Sequence, residues 1–253
     1  MSRRFFCTEP LSQSQVRLAD SEAHHLIHVM RAQVGDEVVL FDGSGTEAAA
    51  RVAELGRTDA VLAVLSRDQV DRELPFRLTL AVALPKGDRQ KWLVEKAVEL
   101  GVTRLLPLKA KRGVAQPVTS AIERLRRSVI EAAKQCGRNR LMEIGEPVEV
   151  VDLFSEWAAE DLALVAHPES DGAAATAPWT GPAVTLGEVS SQRGSDGHVV
   201  VAIGPEGGFA DEELAAAAEA AWRRLDLGPR ILRVETAALT VAAALASVSH
   251  SAH

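Results

Sequence analysis

The segment with the clearest chemical signal is His198–Leu214, which reads HVVVAIGPEGGFADEEL. An apolar strand runs into the turn GPEGG at residues 204–208, and a helix with acidic residues in its first turn follows. Three glycines in five residues let the main chain approach a ligand closely, and open α/β sheets bind ligands at the carboxyl ends of their strands. The segment lacks the Gly-Lys-Ser/Thr ending of a phosphate loop, and it does not match the dinucleotide-binding pattern GxGxxG. Glycine content alone favours a ligand-binding turn and a ligand-free tight turn equally.

A second turn lies in Leu225–Thr236, which reads LDLGPRILRVET. Its Leu-Gly-Pro sequence again follows a predicted strand. Arg230 and Arg233 lie three residues apart beside this apolar turn, where an arginine is expected to meet an anionic partner. Glu235 and Thr236 are typical of the first turn of a helix, so helix capping is a sufficient explanation for these two residues.

Cations and histidines provide two further groups of candidate residues. The segment LPKGDRQKWLVEK at residues 84–96 holds four lysines and arginines near a strand end, which fits a solvated helix face as well as an anion-binding surface. His24 and His28 are four residues apart, as zinc-ligand pairs on a helix are. Because no third ligand stands near them in the sequence, we predict a polar or RNA-facing surface and no metal.

Several classes of protein and of active site are excluded by what the sequence lacks. There is no run of about 18 apolar residues for a membrane span, no secretory signal, and no GxSxG or HExxH motif. Cys7 and Cys136 are too few for a disulfide framework or a four-thiolate zinc site. Cys136 lies on an apolar stripe and is expected to be a packed thiol. A reduced, cytoplasmic protein is therefore expected.

Residues 76–253 are predicted to form an α/β domain with a mostly parallel sheet, because apolar strands alternate with amphipathic helices. The Gly-, Ala-, Ser- and Pro-rich segment Pro168–Gly197 predicts a long surface loop with one helical turn near Val184–Val189. The predicted strands are Arg77–Leu84, Thr103–Leu108, Leu162–Ala166, Val199–Ile203 and Arg224–Leu227, and the predicted helices are Arg89–Leu100, Ala121–Cys136, Asp211–Trp222 and Glu235–Val248.

Residues 1–70 are predicted to form a separate, small barrel-like β module. Short apolar runs and turn signals indicate strands there, and the charged segment Arg67–Pro75 is predicted to be the linker to the second domain. The predicted elements of the module are the strands Glu37–Phe41, Ala48–Glu54 and Ala60–Leu65 and one short helix at His24–Arg31.

Charge is distributed unevenly along the chain, although the net charge is only −7. Residues 1–76 carry a net charge of −4, residues 77–140 carry +10, and residues 141–253 carry −13. A strongly basic middle segment suggests a polyanionic partner. Solvation of two helices would explain the same cations without a partner.

Taken together, these motifs resemble the 16S ribosomal RNA uridine-N3 methyltransferases, which belong to the SPOUT class of trefoil-knot methyltransferases. The resemblance rests on VAIGPEGGF, LDLGPRILRVETA, LPKGDRQKWLVEKAVELGV, EAAKQCGR and HHLIHVMRAQVGDEVVLFDGSG, in the family's order over nearly the whole chain. It implies a PUA-like β-barrel followed by a knotted α/β domain, with S-adenosylmethionine as cofactor and a homodimer as working unit. The implied substrate is the uridine conventionally numbered 1498, in assembled small-subunit RNA.

The resemblance also implies roles for individual residues. Arg233, Glu235 and Thr236 would lie near the target base. Our own mechanistic hypothesis is that Arg233 stabilises the developing oxyanion of the uridine, with Glu206 or Glu235 holding that arginine. The cofactor would contact His167, Gly204, Pro205, Glu206, Gly207, Gly208, Leu227, Gly228, Ile231 and Leu232. From the barrel side, RNA would contact Arg3, Arg4, His25, His28 and Arg31. The charge of the basic segment, independently of the resemblance, indicates further candidates for RNA contacts, namely Lys86, Arg89, Lys109, Lys111, Arg112, Arg124, Arg126, Arg127 and Arg138.

Three alternative functions remain open at this stage. One is a knotted methyltransferase that acts on another ribosomal RNA or on tRNA, because the motifs do not specify the nucleotide. Another is an RNA-binding assembly factor that holds the cofactor with little catalysis. A plain α/β nucleotide-binding protein would explain the glycine turn, but it would not explain the basic segment or the LGPRILRVET motif.

Overall fold

A computed structural model describes residues 3–113, 119–157, 162–168, 179, 181–192 and 197–248. The chain divides into two compact units. The first unit is Met1–Glu73 together with Ile130–Leu141, and the second is Leu74–Val129 together with Met142–His253.

The first unit is built on a five-stranded sheet with the strand order β1-β3-β4-β5-β2. Strands β3, β4, β5 and β2 pair antiparallel, and β1 joins β3 in parallel. Alternating side chains from the strands enclose an apolar core that includes Phe5, Leu26 and Leu40, as the period of two along a strand requires. The elements are β1 (Arg4–Phe6), β2 (Gln15–Leu18), α1 (Asp20–His24), a π-helical turn (His25–Val29), β3 (Glu37–Phe41), β4 (Thr46–Leu55) and β5 (Ala60–Gln69).

The small β module predicted from the sequence is confirmed, with differences at its edges. The predicted strand Glu37–Phe41 is β3. Strand β5 continues to Gln69, so the prediction that the linker starts at Arg67 is wrong. The end of β5 pairs with the start of β4, with Gln69 opposite Thr46. The short strands β1 and β2 were not predicted.

Buried ion pairs tie Ile130–Leu141 into the first unit. The guanidinium of Arg138 pairs with both carboxylate oxygens of Glu73. Lys134 Nζ lies 2.8 Å from Glu22 Oε1, and the Arg138 and Lys134 side chains are 5% and 8% exposed. Removing one member of such a pair leaves an uncompensated buried charge, so loss of either partner is expected to destabilise the fold.

The second unit is built on seven parallel strands, in the order β12-β10-β11-β6-β7-β8, with β9 also paired to β7. The elements are β6 (Arg77–Val82), α2 (Arg89–Glu99), β7 (Arg104–Lys109), α3 (Thr119–Cys136), β8 (Glu143–Ile144), β9 (Val148–Glu149), α4 (Val150–Glu156), β10 (Leu162–Ala166), α5 (Leu186–Gln192), β11 (His198–Ile203), α6 (Asp211–Glu219), β12 (Arg223–Leu225) and α7 (Val234–Val248).

The predicted mostly parallel α/β sheet is therefore confirmed. Its central strands β10 and β11 are apolar along nearly their whole length, as expected when helices cover both faces. Phe154, Phe209 and Trp222 pack edge to face in the core. Elements β8, β9 and α4 were not predicted. Helix α5 overlaps the helical turn predicted near Val184–Val189. Half of the loop predicted at Pro168–Gly197 lies outside the described residues. In the described part of the chain, every helix is too short or too polar to cross a membrane.

Candidate functional site

Strands β10, β11 and β12 are neighbours, and the loops that follow them enclose a cavity of about 310 Å³. Parallel strands end at the same edge of a sheet, so the loops after them converge there. The cavity is lined by Arg112, Ala166, His167, Pro168, Ile203, Gly204, Pro205, Glu206, Gly207, Gly208, Phe209, Leu225, Leu227, Gly228, Arg230, Ile231, Leu232, Val234 and Ala237.

The GPEGG turn after β11 forms one wall of this cavity. The main-chain N–H of Gly208 donates to the carbonyl of Pro205 at 2.8 Å, and Gly208 has φ = +69°, a conformation that residues with a Cβ rarely adopt. A Cβ at Gly204 would lie 3.1 Å from the ring of Phe209. Glycine therefore suits both positions, because a Cβ would strain the main chain at Gly208 and would pack tightly against Phe209 at Gly204.

The turn after β12 forms the opposite wall and carries apolar side chains. Gly228 has φ = +94°, and its N–H donates to Asp226 Oδ1 at 2.8 Å. Ile231 is 89% exposed, although it is apolar, and Leu232 beside it is half-buried. A ligand bound in the cavity would cover the apolar side chain of Ile231 and remove it from water, which favours binding.

His167 closes the third side, directly after β10. Burial, followed by the charge of Arg224, lowers the pKa of His167 below its ordinary value, so the imidazole is neutral at pH 7. A neutral imidazole has one donor and one acceptor nitrogen. His167 can therefore accept a hydrogen bond from a ligand without repelling a positive charge.

All ten residues predicted to contact a cofactor line this one cavity, although they come from three separate loops. Several other lining residues were not predicted. Ile203 and Leu225 are the last residues of β11 and β12, and the ends of these strands can be recognised in the sequence. Val234 and Ala237 lie three residues apart, as two residues on one face of a helix do.

Arg112 was predicted to bind RNA, but the structure places it in the cavity wall. Its guanidinium donates to the carbonyls of Phe209 at 3.0 Å and Gly207 at 3.4 Å. It also lies 3.6 Å from Asp211 Oδ1. Arg112 thus supports the glycine turn from a different part of the chain.

The three residues predicted to be catalytic lie at the start of α7, between or beside residues that line the cavity. Arg233 is exposed, and its carbonyl accepts the N–H of Ala237 at 2.9 Å. Thr236 is also exposed. Glu235 is buried, and its Oε2 has no hydrogen-bond partner among the residues that the structure describes.

Glu206 and Glu235 were expected to hold Arg233, but both carboxylates lie next to Arg89. Nη1 of Arg89 is 3.4 Å from Glu235 Oε1 and 3.6 Å from Glu206 Oε1. The guanidinium of Arg89 therefore links the GPEGG turn to the first turn of α7.

The other residues predicted to bind RNA differ in their exposure. Arg126 is exposed and donates to Ile144 O and Glu146 Oε1. Arg4 pairs with Glu47 at 2.9 Å and lies over the ring of Phe41, and Arg138 is buried against Glu73. His25 is half-buried, and the remaining predicted residues are exposed, namely Arg3, His28, Arg31, Lys86, Lys111 and Arg127.

The His24 and His28 rings lie 4.9 Å apart. Within the described ranges, no cluster of three or more His, Cys, Asp or Glu side chains is placed to bind a metal ion.

A family model described as an RNA methyltransferase domain matches residues 72–246. The chain belongs to this RNA methyltransferase family. A second model, described as the RNA methyltransferase PUA domain, matches residues 18–65 and confirms the predicted PUA-like character of the first unit.

Curated members of the RNA methyltransferase family resemble nearly the whole chain. The ribosomal RNA small subunit methyltransferase E of Synechocystis is 33% identical over 229 residues, which cover 90% of this chain and 72% of the relative. The protein of the same name from Bacillus subtilis is 29% identical, and the match covers 90% of this chain and 88% of the relative. The predicted family resemblance is confirmed.

Solved structures of the family share the fold. A ribosomal RNA small subunit methyltransferase E from Neisseria gonorrhoeae bound to S-adenosyl methionine has a TM-score of 0.84 and 31% identity. A putative methyltransferase from Legionella pneumophila in complex with the same cofactor has a TM-score of 0.84 and 29% identity. Each match covers 98% of both chains.

Proposed function

We propose that this protein transfers a methyl group from S-adenosylmethionine to N3 of one uridine, conventionally numbered 1498, in the 16S RNA of the assembled small ribosomal subunit. The observation that carries the proposal is that all ten residues nominated by the family motifs for the cofactor line a single cavity. Two relatives with bound cofactor that overlap nearly the whole chain support it.

The chemistry of the cavity fits S-adenosylmethionine. Its volume of about 310 Å³ lies within the range of about 300 to 1,000 Å³ found for small-molecule pockets. Apolar side chains at Leu227, Ile231 and Leu232 suit the adenine ring, and main-chain groups of the two glycine turns suit its polar edge. The carboxylate of Glu206 favours the positively charged sulfonium and ammonium groups, since opposite charges attract.

When bound, S-adenosylmethionine would supply a methyl group on a sulfonium sulfur, which keeps the S–C electron pair and leaves as a neutral thioether. The electron pair of the new bond comes from uridine N3, whose proton is lost. The two glycine turns contribute by holding the reacting atoms close and in line, which accounts for much of the rate gain in reactions of this kind.

Arg233 is the residue we assign to the uridine itself. Loss of the N3 proton places negative charge on the neighbouring ring oxygens, and a preorganised cation stabilises such charge. The exposed guanidinium of Arg233 follows the cavity residue Leu232 in sequence, and Arg89 already pairs with the two nearby carboxylates. The hydroxyl of Thr236 and the carboxylate of Glu235 would complete this side of the site.

The RNA is held by exposed cations and by the PUA-like unit. Lys86, Lys111 and Arg127 in the basic segment, with Arg3 and Arg31 in the first unit, are exposed and would contact phosphates. Contacts of this kind position an RNA and make its affinity fall steeply with salt.

Three further properties are part of the proposal, the first two from the family resemblance and the third from the composition. The end of the second domain is threaded into a trefoil knot, two copies of the chain form the working unit, and the protein acts in the cytoplasm. The first unit, Met1–Glu73 with Ile130–Leu141, would bind RNA, and the second unit, Leu74–Val129 with Met142–His253, would transfer the methyl group.

A substrate comparison tests the proposal. Methyl transfer from labelled S-adenosylmethionine is measured on small subunits, on large subunits and on tRNA, all from cells that lack the modification. We expect transfer to small subunits at least about a hundredfold faster than to the others, because positioning on the particle selects the target. Comparable transfer to tRNA or to large subunits would contradict the substrate assignment.

A further inference from the structure

A buried carboxylate joins two segments of the second unit that are about a hundred residues apart in the chain. Glu213, in the first turn of α6, is 2% exposed. Its Oε1 accepts the main-chain N–H of Lys111 at 2.9 Å, and its Oε2 accepts the main-chain N–H of Ala210 at 2.6 Å. One side chain thus binds the turn that follows β7 to the segment that follows the GPEGG turn.

Arg112 makes a second connection between the same two segments. Its guanidinium donates to the carbonyls of Phe209 and Gly207. A Cβ at Gly207 would lie 3.4 Å from the Cβ of Arg112, so the two main chains are in close contact. The side chain of Arg112 is also part of the cavity wall.

We propose that Glu213 and Arg112 are positioning residues that together hold the GPEGG turn in the conformation that binds the cofactor. We name this pair the clasp. The proposal rests on the proposed function, since it takes the cavity to be the site of S-adenosylmethionine. It also gives Arg112 a role in the cofactor site, where the sequence suggested RNA binding.

The physical reason for the clasp is the freedom of the turn it holds. Three glycines in five residues give the free main chain many conformations, and ordering them on binding would reduce affinity. Glu213 accepts one hydrogen bond from Ala210, just beyond this segment, and one from Lys111 in the turn after β7. Arg112 donates to the carbonyl of Gly207 within the segment and to that of Phe209 directly after it. The conformation is therefore fixed before the ligand arrives.

Helix capping alone would be a simpler role for Glu213. A glutamate at the third position of a helix commonly accepts the N–H of the capping residue, and the bond from Ala210 fits that pattern. The bond from Lys111 does not, because Lys111 lies outside the helix. A cap predicts only a loss of stability, whereas the clasp predicts a loss of cofactor affinity as well.

The neighbouring Glu212 offers a matched control. It pairs with the Lys111 ammonium group, but both side chains are about 60% exposed. Exposed ion pairs of this kind contribute little. Glu212→Gln removes one negative charge from the same helix turn without touching the buried hydrogen bonds.

The test is the dissociation constant for S-adenosylmethionine, measured by calorimetry without RNA at a temperature well below unfolding. We expect Glu213→Gln and Arg112→Ala each to bind S-adenosylmethionine about tenfold more weakly. In Glu213→Gln, one main-chain N–H donor faces an amide NH₂ group and loses its acceptor. Arg112→Lys should restore only part of the affinity, since an ammonium group lacks the planar fork. Glu212→Gln should bind as the unaltered protein does.

Each result bears on a different claim. Affinities of Glu213→Gln and Arg112→Ala within twofold of the unaltered protein would overturn the clasp and leave Glu213 a helix cap. If Glu213→Gln does not fold, Arg112→Ala decides the question, because its side chain is half exposed. Failure of the unaltered protein to bind S-adenosylmethionine would instead overturn the proposed function.

Discussion

The arginines near the cavity differ in the groups that already pair with them. Arg89 lies between two carboxylates, and Arg112 donates to two carbonyls. Arg233 is exposed at the start of α7 and is the one we assign to the uridine. The sequence alone could not assign different roles to these three arginines, because all three lie in motifs near strand ends. Only the groups that pair with each guanidinium separate them.

Replacement of Arg233 tests its assignment directly. We expect Arg233→Ala to lower kcat by about 100- to 1,000-fold, as loss of one group that stabilises an oxyanion does, and to leave the affinity for S-adenosylmethionine unchanged. Single-turnover kinetics on small subunits, with calorimetry for the cofactor, measures both quantities. Arg233→Lys, which keeps the charge, should recover part of the rate. Turnover of Arg233→Ala at the rate of the unaltered protein would exclude the role.

The structure assigns Arg138 a different role from the one predicted from the sequence. The sequence placed it in the RNA-binding group, but its side chain is 5% exposed and paired with Glu73. Because breaking a buried pair costs about 3 to 5 kcal/mol, we expect Arg138→Met to lower the free energy of unfolding by about that amount in urea titrations. Arg57→Met, at an exposed position, should have almost no effect. Equal stability of the two variants would contradict a structural role for Arg138.

At the scale of elements, β10 and β11 were predictable because nearly all of their residues are apolar, whereas β12 begins with two arginines and only its last residue, Leu225, is buried. The sequence prediction ended strand β5 too early because the last residues of the strand are exposed and show no hydrophobic alternation. Pairing with β4 holds these residues in the sheet. Strands β8 and β9 have two residues each, which is too short for any periodic signal. That ten residues from three separate loops would line one cavity was predictable only because their motifs match a family.

The GPEGG turn can be tested as an element through its main-chain conformation. Gly208 has φ = +69° and no atom within 4 Å of an added Cβ, so Gly208→Ala introduces backbone strain without a clash. We expect a loss of about 1 to 2 kcal/mol in stability and weaker binding of S-adenosylmethionine, measured by urea titration and calorimetry. Gly187→Ala in helix α5 is the control, since alanine favours a helix over glycine. A Gly208→Ala protein as stable as the unaltered one would show that the turn adopts another conformation.

At the scale of the whole molecule, charge is the property that the sequence displays most plainly. The net charge of −7 conceals a segment that carries a net charge of +10. The sequence could not show which of these cations are exposed and which form buried ion pairs. Lys134 and Arg138 are buried in ion pairs, whereas Lys86 and Arg127 are exposed. Nor does local patterning indicate that Ile130–Leu141 belongs to the first unit, because that depends on pairing between residues distant in sequence.

Reversal of three exposed cations tests the charge-based part of the account. We expect replacement of Lys86, Arg124 and Arg127 by glutamate to weaken RNA binding and to reduce the slope of log affinity against log salt by roughly two. Affinity for S-adenosylmethionine should not change. Filter binding over a range of salt concentrations, with calorimetry for the cofactor, measures both.

The matched control reverses the same amount of charge elsewhere. Arg17, Arg51 and Arg57 are exposed cations of the first unit that we did not assign to RNA. Their replacement by glutamate should leave the salt slope nearly unaltered. Equal losses in the two triple variants would mean that net charge, and not a defined surface, determines RNA binding.

The central claim is that the chain methylates N3 of one uridine in small-subunit RNA. The most direct test incubates the protein with small subunits from cells that lack the modification and with labelled S-adenosylmethionine, digests the RNA and identifies the methylated nucleoside and its position by mass spectrometry. The account predicts N3-methyluridine at a single site, the uridine conventionally numbered 1498. A different methylated nucleoside, or no transfer by a protein that binds the cofactor, would contradict it.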